Sequence, residues 1–304
     1  MLVNITMTAF NRIDCTVRSI LALHKNSGFP FCLTVVDNNS SDETSSVLND
    51  LKEKNLVHNH VRFKDNMGPS CSTNYGWDLQ PADYYIRIDN DIVIQRKGWL
   101  REFVFLMNKY SSLNLLSFPI FNSETDYSEI LISGTDRLLF KNGSHPGGLF
   151  CIPKRVFETL GYWNEEYGSF GVEDGDYTLR VDLSDMIRGY FPDFTWGEHI
   201  GTSDGNIEGY VDFKKARQHD QTSPTGLFMV NELLYDLGLK SLYVDKRYIT
   251  QIEDGLIIHK IDTEKEAINL KWQEAARKFI ENDKTDHSSK QEAREIITKY
   301  YNEL

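Results

Sequence analysis

Residues 84–94, YYIRIDNDIVI, form an apolar, β-branched run that closes on two aspartates spaced by one asparagine, and their reading decides the fold. The pattern predicts a buried strand that runs out where two carboxylates stand close together. Side chains alternate in extended backbone, which puts Asp89 and Asp91 on one side and Asn90 on the other. Hard oxygens converging at a strand end suit Mg2+ or Mn2+. Such ions take few protein carboxylates and fill their remaining positions with water and substrate phosphates. An arbitrary Asp-x-Asp is more often a solvated turn, so the neighbouring chain must decide between the two.

Upstream, LVNITMTAF (residues 2–10) reads as a buried first strand, followed at once by Asn11 and Arg12. Asp14 to Leu23 space Val17, Ile20 and Leu21 as a helix face. Phe31 to Val36 then form a second β-rich run that opens into Asp37-Asn38-Asn39-Ser40-Ser41-Asp42. A further helix is expected from Asp42 to Lys54, capped by Ser41 or Asp42, with Val47, Leu48 and Leu51 on its apolar face. Strands alternating with helices imply an α/β fold with a mainly parallel sheet. Ligands of such sheets collect at the carboxyl ends of the strands, where Thr8 to Arg12, Asp37 to Asn39 and Asp89 to Asp91 fall. A carboxylate such as Asp37 can accept from a base N–H and so discriminate between bases, or it can serve as an Asx turn or helix cap.

Three acids in four positions, in Glu173-Asp174-Gly175-Asp176, are best tolerated at a helix start, where free N–H groups and the macrodipole offset their repulsion. They also supply what transfer to a hydroxyl requires, a general base within hydrogen-bond reach. Gly147-Gly148 permits close backbone approach or positive φ, and a strand follows in LFCIP. Arg155 reads as structural. Trp163 and Tyr167 are candidates for stacking on a sugar or for the core. His199 ends a short β-like run from Phe191. The glycine-rich stretch Gly201 to Gly209 could close over a ligand.

Taken in order, TAFNR (8–12), VVDNNSSDET (35–44), DNMGPSCSTNYGW (65–77), YYIRIDNDIVI, GGLFCIPKRVFETLGYWNEEYG (147–168) and GVEDGDYTLR (171–180) resemble the GT-A fold glycosyltransferases of family 2. The similarity covers about the first 200 residues. It implies a Rossmann-like α/β fold, a nucleotide-diphosphate sugar donor (UDP being the commonest in the family), Mn2+ or Mg2+ at the Asp-x-Asp, and inversion at the anomeric carbon. By the same resemblance, Thr8, Phe10, Asn11, Arg12, Asp37, Asn39, Asn66, Gly68 and Asn90 surround the nucleotide. Asp89 faces ribose or sugar and contributes to the metal site, Asp91 is the principal metal ligand, and Gly147 and Gly148 neighbour the donor sugar. The resemblance carried by these motifs as a set also makes His199 a candidate third metal ligand, with His219 and His259 as competing positions. A similar Glu-Asp motif in β-galactosyltransferases makes Asp174 the preferred base and Glu173 the residue orienting a glycan or other hydroxyl acceptor, with the two roles exchangeable.

The chain has 304 residues, a net charge of −12 and no apolar run near 18 residues. Its acidity disfavours nucleic acid as a partner, and its length accommodates one substantial domain with an appendage. The start at Leu2 lacks a basic leader, so no signal peptide is expected. Cys15, Cys32, Cys71 and Cys151 show no metal spacing, which is consistent with reduced thiols and a cytoplasmic location. The expected division is a catalytic domain over residues 1–261, with a nucleotide part to about 95 and an acceptor part from about 96, then a helical extension over 262–304. In that extension Ala267, Leu270, Ala275 and Phe279 mark one helix and Gln291 to Tyr301 a second, which either pack on the catalytic domain or pair two copies as a homodimer. A sugar nucleotidyltransferase is disfavoured because TAFNRIDC lacks its glycine-rich loop. A non-catalytic nucleotide-sugar sensor is disfavoured by acids at both motifs.

Overall fold

The computed structural model describes residues 1–120, 124–133, 136–168, 171–203, 222–282 and 295. Its amino-terminal half alternates β1 (Val3–Ala9), α1 (Ile13–Asn26), β2 (Cys32–Asp37), α2 (Thr44–Glu53), β3 (Asn59–Arg62), α3 (Gly68–Leu79) and β4 (Tyr84–Asp89). β5 (Ile92–Ile94), α4 (Trp99–Lys109), β6 (Leu113–Ser117), β7 (Ser128–Ser133), β8 (Asp136–Phe140), β9 (Leu149–Pro153), α5 (Lys154–Leu160), α6 (Glu173–Leu183) and β10 (Ile187–Tyr190) follow. β11 (Gly197–His199), α7 (Ile200–Ser203), α8 (Thr222–Asp236), β12 (Tyr248–Glu253), β13 (Leu256–Ile261) and α9 (Thr263–Asn282) complete the described chain.

Nine strands form one sheet in the order β3-β2-β1-β4-β9-β6-β10-β8-β7. The first four are parallel, and β1, VNITMTA, is buried almost throughout although it alternates apolar with polar residues; the buried Asn4 is satisfied by donating to the Gly76 and Gln80 carbonyls of and beside α3. One cluster of core side chains joins Ile20 and Leu23 of α1, Leu48 of α2 and Trp99 and Phe103 of α4 to the strands. A second joins Trp77 of α3, Val156 and Leu160 of α5, and Tyr177 and Val181 of α6. Helices therefore flank the sheet, as an α/β chain requires.

Beyond β4 the expectation of a mainly parallel sheet needs correction. β9 runs antiparallel to both β4 and β6, and β8 runs antiparallel to β7 and β10. The reversal matters for the site, because it is the amino-terminal end of β9 that meets the carboxyl end of β4. The Asp89 N–H donates to the Gly148 carbonyl at 3.0 Å, so Gly147 and Gly148 arrive beside the Asp-x-Asp. The order also reverses around β1, with β2 and β3 on one side and β4 on the other. That is the position at which open α/β sheets bind ligands.

The acidic helix start divides by burial. Asp176, wholly buried, accepts from Arg180 Nε at 2.8 Å, from the Tyr167 hydroxyl at 3.0 Å and from the Tyr235 hydroxyl at 3.1 Å. Arg180 in turn donates to the carbonyls of Leu160 and Tyr162. This ion pair fastens α6 to α8 and to the turn before it, so Asp176 is scaffold. Tyr235→Phe should lower stability by about 1.5–3 kcal/mol, the range for a hydrogen bond to a charged group. Urea unfolding measures it, and an unchanged midpoint would mean that Asp176 needs only its arginine and Tyr167.

Trp163 and Tyr167 are core side chains, which sets aside the sugar-stacking alternative. Trp163 is wholly buried, and Tyr167 is spent on Asp176. Arg155 is structural, donating to Asn114 Oδ1 and the Leu113 carbonyl. The hairpin of β12 and β13 was missed in the sequence, although Asp254-Gly255 between two β-rich runs is a two-residue hairpin signal and both residues take positive φ. It docks through the bridge between Phe63 and Ile257 and through Glu165, whose carboxylate accepts the Arg247 and Tyr248 N–H groups. In α9, Trp272 packs with Tyr167, Leu227, Val230 and Leu234. The second C-terminal helix expected at 291–301 lies outside the described residues except for Glu295, which is helical. Among those residues no helix is long and apolar enough to cross a membrane.

Candidate active site

β1 leaves the sheet through two residues of left-handed backbone, Asn11 (φ 54°) and Arg12 (φ 58°). Asn11 spends its N–H on Ser40 Oγ and its side-chain oxygen on the Ser41 N–H, which ties the β1 and β2 exits together. Thr8 is registered between Val36 and Asp89, and its buried hydroxyl has no hydrogen-bond partner. Phe10 is half-buried beside this turn, and Asn39 is exposed with φ 66°. Asn38, not singled out from sequence, donates to Asn66 Oδ1 at 2.9 Å and accepts the Met67 N–H. Asn66 also accepts from the Gly68 N–H, where Gly68 takes φ 79° to begin α3.

The two oxygens of Asp37 differ in what they engage. Oδ1 accepts the Ser40 N–H at 2.8 Å as an Asx turn, while Oδ2, fully buried, accepts no hydrogen bond and lies 3.6 Å from Arg62 Nε. A buried carboxylate oxygen without a hydrogen bond is costly unless a ligand completes it.

The strand ends at Asp89, and Asn90-Asp91 form a turn into β5. The two aspartates are thus separated by a turn rather than by strand alternation. Asn90 points away from them as expected, but into α1: it donates to Thr16 Oγ1 and the Asn11 carbonyl and accepts from Arg12 Nη2. Its side chain anchors the turn and is not available to a nucleotide. Asp91 is buried, with Oδ2 held by Arg12 Nη1 at 2.7 Å. Arg12 is thereby engaged by the carboxylate of the Asp-x-Asp turn. β5 pairs with β11 so that His199 stands opposite Ile92, and His199 Nε2 lies 3.5 Å from Asp91 Oδ1. A Cβ on Gly201 would come within 2.2 Å of Asp91 Oδ2 and 2.7 Å of Arg12 Nη1, so backbone closes on the far side of the ion pair and any side chain there would have to displace it. His259 packs on Phe63 in the hairpin and is out of contention. His219 and residues 204–209 of the glycine-rich stretch lie outside the described residues.

Asp91 Oδ1, buried and accepting no hydrogen bond, with an imidazole nitrogen beside it, fits a divalent cation. Asp91 and His199 would hold it, leaving the other positions to water and diphosphate, as these ions prefer. No group of three His, Cys, Asp or Glu side chains is arranged for a metal among the described residues, so Asp89 is not gathered into a closed site with them. Asp89 is about one-third exposed and lies 3.6 Å from Arg87 Nη2. Its pKa is raised by desolvation against the pull of Arg87, with Asp91 and Glu173 adding repulsion.

The acidic motif opens α6. Asp174 Oδ2 accepts the Gly147 N–H at 3.2 Å and Oδ1 the Gly175 N–H at 2.8 Å. Desolvation and the adjacent Glu173 carboxylate lift its pKa to about 6, with Arg87 opposing them. Glu173 is buried. Its Oε1 is held by Arg87 Nη2 at 3.1 Å and its Oε2 by the Gly171 N–H, so both oxygens already have partners inside the protein. Arg87 was missed in the sequence, although a lone charge within a strand of buried residues was the available signal. Gly201 was named only as part of a loop.

A family model described as Glycosyl transferase family 2 matches residues 4–154. The "Probable glycosyltransferase YdaM" of Bacillus subtilis (strain 168) is 26% identical and aligned with 66% of this chain, which spans about half (51%) of that protein's length. Among solved structures, the mannosyltransferase PcManGT from Pyrobaculum calidifontis in complex with GDP-Man and Mn2+ superposes with a TM-score of 0.55. It is 13% identical, with 78% of this chain and 64% of that one covered. S. aureus TarS 1-349 in complex with UDP-GlcNAc gives 0.53 at 17% identity, over 77% of this chain and 67% of that one. These likenesses establish the fold as GT-A.

Proposed function

We propose that this chain, whose residues 4–154 carry a glycosyl transferase family 2 domain, moves a sugar from a nucleotide-diphosphate donor to an acceptor hydroxyl with inversion. The observation that carries this reading is the joining of two sites by one loop. Gly148 takes the Asp89 N–H at the end of β4, and Gly147 gives its own N–H to Asp174. A carboxylate with a pKa of about 6 is thereby fixed beside the place where a donor bound at the β1–β4 crevice would present its anomeric carbon. In this reading Asp174 takes the proton from the acceptor hydroxyl as it attacks. Glu173 keeps Asp174 in place from within the protein rather than touching the acceptor. Gly147 and Gly148 bring backbone against the donor sugar, and Asp37 Oδ2 reads a base N–H.

Mn2+ or Mg2+ held by Asp91 and His199 would offset the charge that develops on the departing diphosphate. The Mn2+ in the mannosyltransferase complex supports a metal here. UDP is our preferred nucleotide; the two neighbours carry GDP-Man and UDP-GlcNAc, so the base is what the test must decide.

A thermal-shift screen of nucleoside diphosphate sugars with and without Mn2+ tests donor and metal together. A metal-dependent rise with one donor is the expected result, and no rise with any of them would overturn the reading. The preferred donor's dissociation constant should increase in Asp37→Ala by the equivalent of about 1.5–3 kcal/mol, the value of a charge-assisted hydrogen bond. Base preference should blur at the same time. If affinity and preference are both retained, Asp37 is only the Asx turn of the β2 exit.

A further inference from the structure

Arg87 is 3% exposed in the middle of β4, and its guanidinium lies 4.5 Å from the centre of the Trp163 ring. Nη2 alone serves two carboxylates, Glu173 Oε1 at 3.1 Å and Asp89 Oδ1 at 3.6 Å. Nε and Nη1 are buried with no hydrogen-bond partner. A guanidinium normally enters a protein interior with its donors satisfied, since each one left over carries a desolvation cost. An apolar side chain at this place in a strand of otherwise apolar core would be less costly. The loop accommodates the arginine in turn: a Cβ on Gly147 would sit 2.9 Å from Arg87 Cζ, so the glycine that bonds Asp174 is required by the guanidinium beneath it.

We infer that Arg87 is a positioning residue of the transfer site, one that ties the end of β4 to the start of α6 and holds Glu173 and Asp174 in register with the donor. The role rests on the glycosyltransferase reading only for its consequence in catalysis; the linkage itself belongs to the fold. Arg87 acts through others. It draws Glu173 away from the acceptor side and places a positive charge near Asp174 without bonding to it. The groups that face Asp174 are Glu173 on its own helix, Arg87 from β4, Tyr190 from β10 and the N–H groups of Gly147 and Gly175. Among the described side chains that face Asp174 only Arg87 is cationic, and it opposes the desolvation and the Glu173 charge that raise Asp174. Neutralising Arg87 therefore makes Asp174 a group that remains protonated to higher pH.

The test is a carboxyl-carbon NMR titration of the aspartate-labelled full chain, with the Asp174 resonance identified by its loss in Asp174→Asn. The midpoint near 6 should move to about 7 or above in Arg87→Met, as expected for removal of a nearby opposite charge. It should stay close to the parent value in Arg87→Lys. Because Arg87→Met leaves Glu173 buried without its cation, the double variant Arg87→Met with Glu173→Gln is the safeguard for folding. Loss of both opposing charges should bring its midpoint below that of Arg87→Met. A midpoint that ignores Arg87→Met, or one unchanged between Arg87→Met and the double variant, overturns the inference. The titration needs no turnover, so absence of transfer with every donor would defeat the functional reading and leave this result standing. Where the parent does transfer sugar, the acidic limb of its rate profile should move up with the NMR midpoint.

Discussion

Asp174→Asn should reduce kcat for sugar transfer by about 10²–10⁴, the range for loss of a general base, while donor affinity stays near the parent value. The substitution retains the side chain's shape. The Asn oxygen can keep one of the two N–H groups that Gly147 and Gly175 present to Asp174, so what disappears is basicity. The pH dependence separates this from a distortion. An acid with a pKa of about 6 is ionised above that value and protonated below it, and only the ionised form can take a proton. Parent kcat should therefore be flat above about 7 and fall as pH drops through 6, approaching tenfold per pH unit, whereas the residual rate of Asp174→Asn should lack that limb. A variant that keeps both rate and limb would move the base elsewhere; Glu173, with both oxygens engaged by Arg87 and Gly171, is poorly placed to replace it.

Local periodicity made the amino-terminal half legible. The run at residues 2–10 and the spacing of Val17 and Ile20 became the strand and helix expected, although Leu21 is exposed; the second helix formed as well but starts at Thr44 with Glu43 at its N-cap and no side-chain cap, Asp42 Oδ1 accepting the Thr44 N–H from one position earlier. The antiparallel placement of β9 was not legible, because LFCIP reads the same in either direction and its direction follows from long-range pairing. The site divided along the same line. Residue types singled out Asp37, Asp91 and His199 as candidates, and the fold places them at the end of β2, in the turn after β4 and at the end of β11. The partner of each carboxylate depends on residues tens of positions away. Arg12 and Asp91 are 79 positions apart and Arg87 and Glu173 86, so no spacing rule exposes either pair. The same limit explains why Asn90 looked like a ligand contact when its amide in fact anchors the turn to α1.

Asp91→Asn should weaken Mn2+ binding more than about 100-fold, since loss of even an outer partner of a metal ligand costs about 10–100-fold. The choice of asparagine over alanine follows from burial. Asp91 is the counter-ion of Arg12 at 2.7 Å, and truncation would take that carboxylate from a buried guanidinium at a cost of up to about 3–5 kcal/mol, which would confuse metal loss with unfolding. Asparagine leaves an oxygen for Arg12 while removing the charge that a cation needs. His199→Gln, at the other side of Oδ1, should weaken Mn2+ less, because a neutral donor is exchanged for another neutral donor. Direct Mn2+ titration with the nucleoside diphosphate present reads binding without any turnover, and a urea midpoint for each variant shows that the fold persists. Weakened Mn2+ in both variants, with nucleotide affinity falling in parallel, would place the cation between Asp91 and the diphosphate. Unaltered Mn2+ affinity in Asp91→Asn would instead make Arg12 the resident cation of the Asp-x-Asp turn, and the charge on the leaving diphosphate would have to be met by arginine rather than by a metal.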